Sequence, residues 1–128
     1  MRGYSKRPGW AKEGRMALVN LTPHPIVVRT DGGDVTIPPS GQVARVTSQQ
    51  TLAGYIDLDG VQIPVQRTTF GQVECLPAPA PDTVYIVSGL VLSALAGTRP
   101  DVVQPDTSPA GAIRDGDGRI VAVRGFQI

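Results

Sequence analysis

Apolar and β-branched positions come in short runs that mostly alternate with polar residues, and turn-forming pairs close most of them. Residues 17–21 and 26–29 are two such runs, separated by Thr22-Pro23-His24-Pro25. Each proline denies a sheet one backbone donor, so this segment is a bend or an edge irregularity. Asp31-Gly32-Gly33-Asp34 predicts a hairpin turn that returns residues 35–37 antiparallel to 26–29. Pro38-Pro39-Ser40-Gly41 breaks the chain again, and residues 43–47 alternate as a strand. Residues 55–58 and 61–66 flank Asp59-Gly60 as a second hairpin, and 68–73 continue as a short strand.

The pattern then changes. Leu76-Pro77-Ala78-Pro79-Ala80-Pro81 is a stiff, extended connector. Residues 83–87 are apolar and β-branched, the signature of a buried strand. The Ser88 hydroxyl can cap a helix, and Leu90, Val91, Ala94 and Leu95 share one helical face. Gly97 suits the position after the helix and Pro100 bars continuation, which predicts a helix over about 89–96. Residues 101–103 resume as a strand, and 111–114 with 119–126 form a C-terminal hairpin around Asp115-Gly116-Asp117-Gly118. If strands 83–87 and 101–103 are parallel neighbours, their connection is a right-handed crossover; the competing arrangement is a helix lying over the sheet. The expected fold class is α+β, mostly β: an antiparallel meander of short strands with one short helix and a C-terminal hairpin.

Composition sharpens this picture. A chain of 128 residues has room for one core. Gly and Pro supply 27 of them, an excess that favours turns and short elements over a helical bundle. The net charge of +1 creates no bulk field toward nucleic acid or membrane. The charge is uneven: residues 1–16 hold Arg2, Lys6, Arg7, Lys12 and Arg15 against Glu13 alone. Those residues lack apolar periodicity, so they read as a disordered basic tail before a single compact β-rich domain over 17–128. The tail is either an arm for nucleic acid or docking, or an upstream extension of a chain that starts folding at Met16. The apolar stretch from Val84 to Ala96 is too short for a bilayer span, and no apolar segment follows the N-terminal basic residues. A cytoplasmic protein with no membrane partner is expected.

Candidate chemistry is sparse. Cys75 is the one cysteine and His24 the one histidine, which excludes a disulfide framework and a multi-cysteine metal site. Cys75 reads as a small core residue, and His24 as a side chain packed in its bend. No protease, hydrolase, Walker or dinucleotide-binding motif is present, so neither catalytic residues nor a cofactor or metal are expected. The acidic residues mostly occupy turns, and Asp115-Gly116-Asp117-Gly118 lacks the downstream Glu of a calcium loop. A ligand edge can be assembled. Ser88 and Gly89 open the helix, where free amides and the helix dipole form a weak anion site. Asp106, Thr107 and Ser108 lie between Pro105 and Pro109, a frozen polar loop. With parallel strands, both segments share the carboxyl edge where open α/β sheets hold ligands. All seven basic residues beyond position 16 are arginines, suited to phosphate and to stacking on bases; Arg99 and Arg114 bracket the loop. A helix cap, a proline-bounded turn and a local Arg114-Asp115 pair are the structural alternatives.

The quoted segments carry a resemblance. Leu18-Val19-Asn20-Leu21-Thr22-Pro23-His24-Pro25 comes first, followed by Ile37-Pro38-Pro39-Ser40-Gly41-Gln42-Val43-Ala44-Arg45-Val46 and Val84-Tyr85-Ile86-Val87-Ser88. Arg99-Pro100-Asp101-Val102-Val103-Gln104-Pro105-Asp106-Thr107-Ser108-Pro109, Ala112-Ile113-Arg114-Asp115 and Gly118-Arg119-Ile120-Val121-Ala122-Val123-Arg124-Gly125-Phe126 complete the set. Over roughly residues 18–126, in this order, the chain resembles a group of small proteins of unsettled function encoded by bacteriophages and prophages. The resemblance implies a phage or prophage gene product acting in a bacterial cytoplasm. It implies no activity and no catalytic residues.

The expected function is a non-catalytic phage-derived binder that sequesters a nucleotide-type host immune signal. Its pocket would lie at the interface of a homo-oligomer, since a body this small has little room for a deep cavity. The alternatives are a virion structural, accessory or assembly protein, and a direct protein inhibitor of a host factor that uses an exposed hairpin or the basic tail. An enzyme built on His24 and Asp106 ranks last.

Overall fold

The computed structural model describes residues 16–128. The basic tail therefore lies outside the described residues, apart from Met16, which packs against the core. The elements are β1 (Ala17–Asn20), β2 (Ile26–Thr30), β3 (Gly33–Ile37), β4 (Ser48–Leu58), β5 (Val61–Phe70), β6 (Thr83–Ile86), α1 (Gly89–Leu95), β7 (Val102–Pro105), β8 (Ala112–Arg114), β9 (Ile120–Val123) and β10 (Phe126–Gln127). The chain is mostly β with one short helix, the fold class the sequence predicts.

The strands pair across long chain distances. One sheet has the order β1-β6-β7-β10, a second β3-β2-β9-β8, and β4 with β5 stands apart as a two-stranded ribbon. β1, β6 and β7 run parallel, with Leu18 opposite Val84 and Tyr85 opposite Val102. β2 and β9 are also parallel, joined at Val28 and Val123. The predicted hairpins β2–β3, β4–β5 and β8–β9 are present, but parallel pairings between distant segments build each of the two body sheets where the sequence suggests a meander.

β6 explains the architecture. Val84, Tyr85, Ile86 and Val87 are all buried, and strand alternation sends them to opposite faces. Tyr85 and Val87 join Leu21, Ala44, Val102 and the helix residue Val91. Val84 and Ile86 join Ile26, Ile37, Val103 and Val123 from the second sheet. The first sheet is thus covered by α1 and residues 43–46 on one face and by the second sheet on the other. Burial on both faces is why residues 83–87 read as an unbroken apolar run.

Several expected boundaries move. Residues 43–47 make only an isolated bridge between Arg45 and Glu74, and of 68–73 only 68–70 are strand, as the end of β5. The strand expected over 101–103 runs Val102–Pro105, and the last segment splits into β9 and β10, which pair with different sheets. The helix stops at Leu95, one residue early, because Ala96 itself adopts a left-handed φ of 51° and its N–H donates to Ser93 O. Cys75, expected in the core, is exposed with φ 62°. Among the described residues no helix is long and apolar enough to cross a membrane.

Candidate functional site

The parallel pairing of β6 and β7 places Ser88-Gly89 and Asp106–Ser108 after the carboxyl ends of neighbouring strands, as the ligand-edge expectation requires. The side chains there are already engaged. Ser88 Oγ accepts from Val91 N–H at 3.4 Å, the cap it was expected to make, and the seven-residue helix carries too short a dipole for a strong anion site. A Cβ on Gly89 would stand 2.6 Å from Gln104 Oε1, so a larger residue there would push the Gln104 amide aside. Asp106 Oδ1 accepts from Ser108 N–H and from Ser108 Oγ at 3.1 and 2.6 Å, closing an Asx turn. The same loop folds back so that Gly111 lies against the Asp106 carboxylate. Thr107 is exposed on this turn.

The two arginines chosen as ligand residues serve the fold. Arg99 donates through Nε and Nη2 to the Asp101 carboxylate, each at 2.9 Å, and Nη2 also reaches Pro77 O at 2.9 Å. Its guanidinium carbon sits 5.9 Å from the centre of the Tyr85 ring, whose hydroxyl donates to Ala78 O. Arg99 thus straps the proline connector onto the body. Hydrogen bonding to Arg99 holds the Asp101 carboxyl below the ordinary carboxylate range, partly offset by burial. Arg114 belongs to the other sheet and donates to Gly118 O at 2.6 Å, inside its own hairpin. The structure therefore brings together Ser88, Gly89, Asp106, Thr107 and Ser108 at one sheet edge. It assigns Arg99 to a structural clamp and Arg114 to the β8–β9 turn.

Two features go beyond the site residues chosen from sequence. The first is a cleft of about 430 Å³ beyond the ends of β1 and β6. Leu21, Thr22, Ala44, Arg45, Glu74, Ser88 and Leu90 are among its lining residues. Asn20 holds the bend whose Thr22 and Pro23 line one side of the cleft. It is buried, donates through Nδ2 to His24 O and Ile37 O, and accepts at Oδ1 from Thr22 N–H and Oγ1. These bonds fold the Thr22–Pro25 bend over the strand end and leave the His24 side chain outside, against its expected packing role. Arg45 is exposed at the cleft, with no ion-pair partner among the described residues.

The second is the β4–β5 ribbon. Ten cross-strand pairs run from Ser48–Phe70 to Leu58–Val61, with a bulge between Leu52 and Gly54. Its residues are exposed on both strands apart from Gly54, and it packs on no other element of the chain to any extent. Leu52, Tyr55, Ile56, Leu58, Val61, Ile63, Val65 and Phe70 are all exposed there. The alternation of 55–58 and 61–66 was legible in sequence, but it gave no sign that the apolar side stays uncovered among the described residues. Among the described residues no cluster of His, Cys, Asp and Glu is arranged to hold a metal ion. Comparison with protein-family models, curated proteins and solved structures gives no match to this chain.

Proposed function

We propose that this chain is a non-catalytic association protein of phage or prophage origin, acting in the bacterial cytoplasm, with the β4–β5 ribbon as its working element. One observation carries the reading: eight large apolar side chains stand exposed on a ribbon that packs on no other described element to any extent. A lone two-stranded ribbon is marginal in water, and an apolar patch of this kind marks an interaction surface. Covering a half-exposed aliphatic side chain returns about 1 kcal/mol. This favours the protein-docking expectations, an assembly or accessory protein or a direct protein inhibitor, over capture of a small ligand.

The test is a photo-crosslinking residue placed at Ile63 on the ribbon and, for reference, at Thr36 on β3. The reading expects discrete protein adducts from position 63 and none from 36, with the former abolished by Leu58→Asp. No adduct at 63 in the bacterial host overturns it.

Nucleotide sequestration survives as a second reading on a different feature. The cleft has the volume of a small-molecule site, and its lining includes Ser88 and Arg45, which has no ion-pair partner among the described residues. A thermal-shift panel of cyclic di- and trinucleotides, ADP-ribose and NAD tests it. A midpoint rise with one compound, lost in Arg45→Ala, supports capture; a flat panel retires it.

A further inference from the structure

We propose that the occupant of the ribbon is a second copy of this chain, stacked face to face and antiparallel about a two-fold axis through the Ile56–Ile63 pair. The inference rests on the reading that the ribbon docks protein, and it names the partner.

Strand register divides the ribbon into two unlike faces. Leu58 and Val61, Ile56 and Ile63, and Gly54 and Val65 are cross-strand pairs on one side, followed by Thr51 and Arg67. The other side carries Asp57, Gln62, Gln66 and Gln50 around Tyr55, Pro64 and Leu52. The first face is therefore an aliphatic strip of five side chains. The turn residue Asp59 stands at one end and Arg67 at the other. Leu58 and Val61 at the tip are 58% and 61% exposed and Ile56 and Ile63 at the middle 57% and 40%, so the strip is open along its length. Neither Arg67 nor Asp59 has an ion-pair partner among the described residues.

A partner must match an aliphatic strip that is basic at one end and acidic at the other. The ribbon itself is such a strip when reversed. A two-fold axis across the strands at Ile56 and Ile63 places each residue beyond 63 over the one equally far before it. Val65 then faces Val61 of the second copy, and Arg67 faces its Asp59 turn. On the other strand Gly54 faces Leu58, and the space above Gly54 is open, with no atom within 4 Å of where a Cβ would stand. The missing side chain is a socket for the partner's leucine. The arrangement is isologous, as two-fold interfaces are, and turns a marginal ribbon into two packed layers of strands.

Light scattering on the full chain after size exclusion reads the state. The expected mass at micromolar loading is about twice the 13.5 kDa of one chain. Ile63→Asp and, on the other strand, Ile56→Lys should each give the single-chain mass while the thermal transition of the body persists. Arg67→Glu should weaken association by about tenfold, because two symmetry-related exposed pairs are reversed. Adding Asp59→Lys to Arg67→Glu should restore it, which a merely structural role for either residue would not do. A single-chain mass for the unaltered protein overturns the proposal, as does a dimer that ignores Ile63→Asp or is not restored by the swap. Adducts from position 63 to another protein, with this chain monomeric, overturn the second copy as occupant and leave the docking reading standing. No adduct from 63 to any protein overturns both.

Discussion

Arg99 and Asp101 clasp each other through two hydrogen bonds of 2.9 Å, two residues apart, with both side chains 18% exposed. The pair frames the entry to β7, and its third bond reaches back 22 residues to Pro77 O. Arg99→Ala removes all three bonds and leaves the Asp101 carboxylate and the Pro77 carbonyl short of donors. The expected cost is about 2 kcal/mol, a fall in thermal midpoint of about 8 °C for a body this size. Calorimetry on the variant checks it. A loss of ligand response with unchanged midpoint would contradict the clamp role and return Arg99 to the ligand site.

The same pair fixes a pH dependence. The Asp101 carboxyl titrates lower in the folded chain than in the unfolded one, and hydrogen bonding to Arg99 is the main cause. The unfolded state therefore binds the proton first as pH falls. The stabilisation is complete above the ordinary carboxylate range, near pH 4, and is lost as pH drops through the lower folded value. Urea midpoints of the unaltered protein and Asp101→Asn should differ at pH 7 and converge in strong acid. A gap independent of pH would disprove the coupling.

Asn20 is the second node. It makes four side-chain hydrogen bonds from a position 1% exposed, two of them to carbonyls at His24 and Ile37. Asn20→Ala strands the Ile37 carbonyl next to the core, at an expected cost of about 3 kcal/mol. Asn20→Asp keeps the acceptor for Thr22 but aims a carboxylate at two carbonyls. Its deficit relative to the unaltered protein should shrink on acidification, because the protonated acid regains one donor. Equilibrium unfolding of both variants across pH decides this.

Gly111 and Asp106 are coupled sterically. A Cβ on Gly111 would collide with the Asp106 carboxylate, which is held in place by Ser108. Gly111→Ala should cost about 2 kcal/mol and Asp106→Ala about 1 kcal/mol. The double variant should lose less than the sum, since removing the carboxylate makes room for the methyl. Additive losses would mean that the loop moves aside freely, and would restore Asp106 as a mobile side chain.

How much of this was legible depends on whether the cause is local. The three hairpin turns, the Ser88 cap and the buried run at 83–87 follow from residue chemistry within a few positions, and all are present. The partners of the body strands were not legible. β1 pairs with β6 across more than sixty residues, and no local signal distinguishes a parallel neighbour from the next strand of a meander. Arg99 has the composition of a ligand residue, and only the fold reveals that Asp101 and Pro77 already occupy it. Asn20 looks like any polar strand end until Ile37 arrives beside it. The ribbon shows the opposite limit: its alternation marks an apolar side, but its exposure depends on where the other described elements pack, which no local signal states.

The independence of the ribbon from the body can be tested by removing it. Ser48 and Phe70 are a cross-strand pair at its base, and below them Gly71 N–H donates to Thr47 O at 2.8 Å, so the chain can be closed there. Replacing residues 49–69 by Asn-Gly supplies a two-residue turn matched to strand twist. Because the ribbon packs on no other element to any extent, both core clusters keep every member. Shortening the connection also slightly lowers the entropy lost on closing it. The shortened chain should fold as a monomer, with a thermal midpoint within about 4 °C of monomeric Ile63→Asp, an offset of about 1 kcal/mol at this size. The comparison is made with that variant because association raises the apparent stability of the unaltered protein by mass action. Loss of the cooperative transition would show that the ribbon belongs to the core, and would remove the ground for treating it as a docking arm.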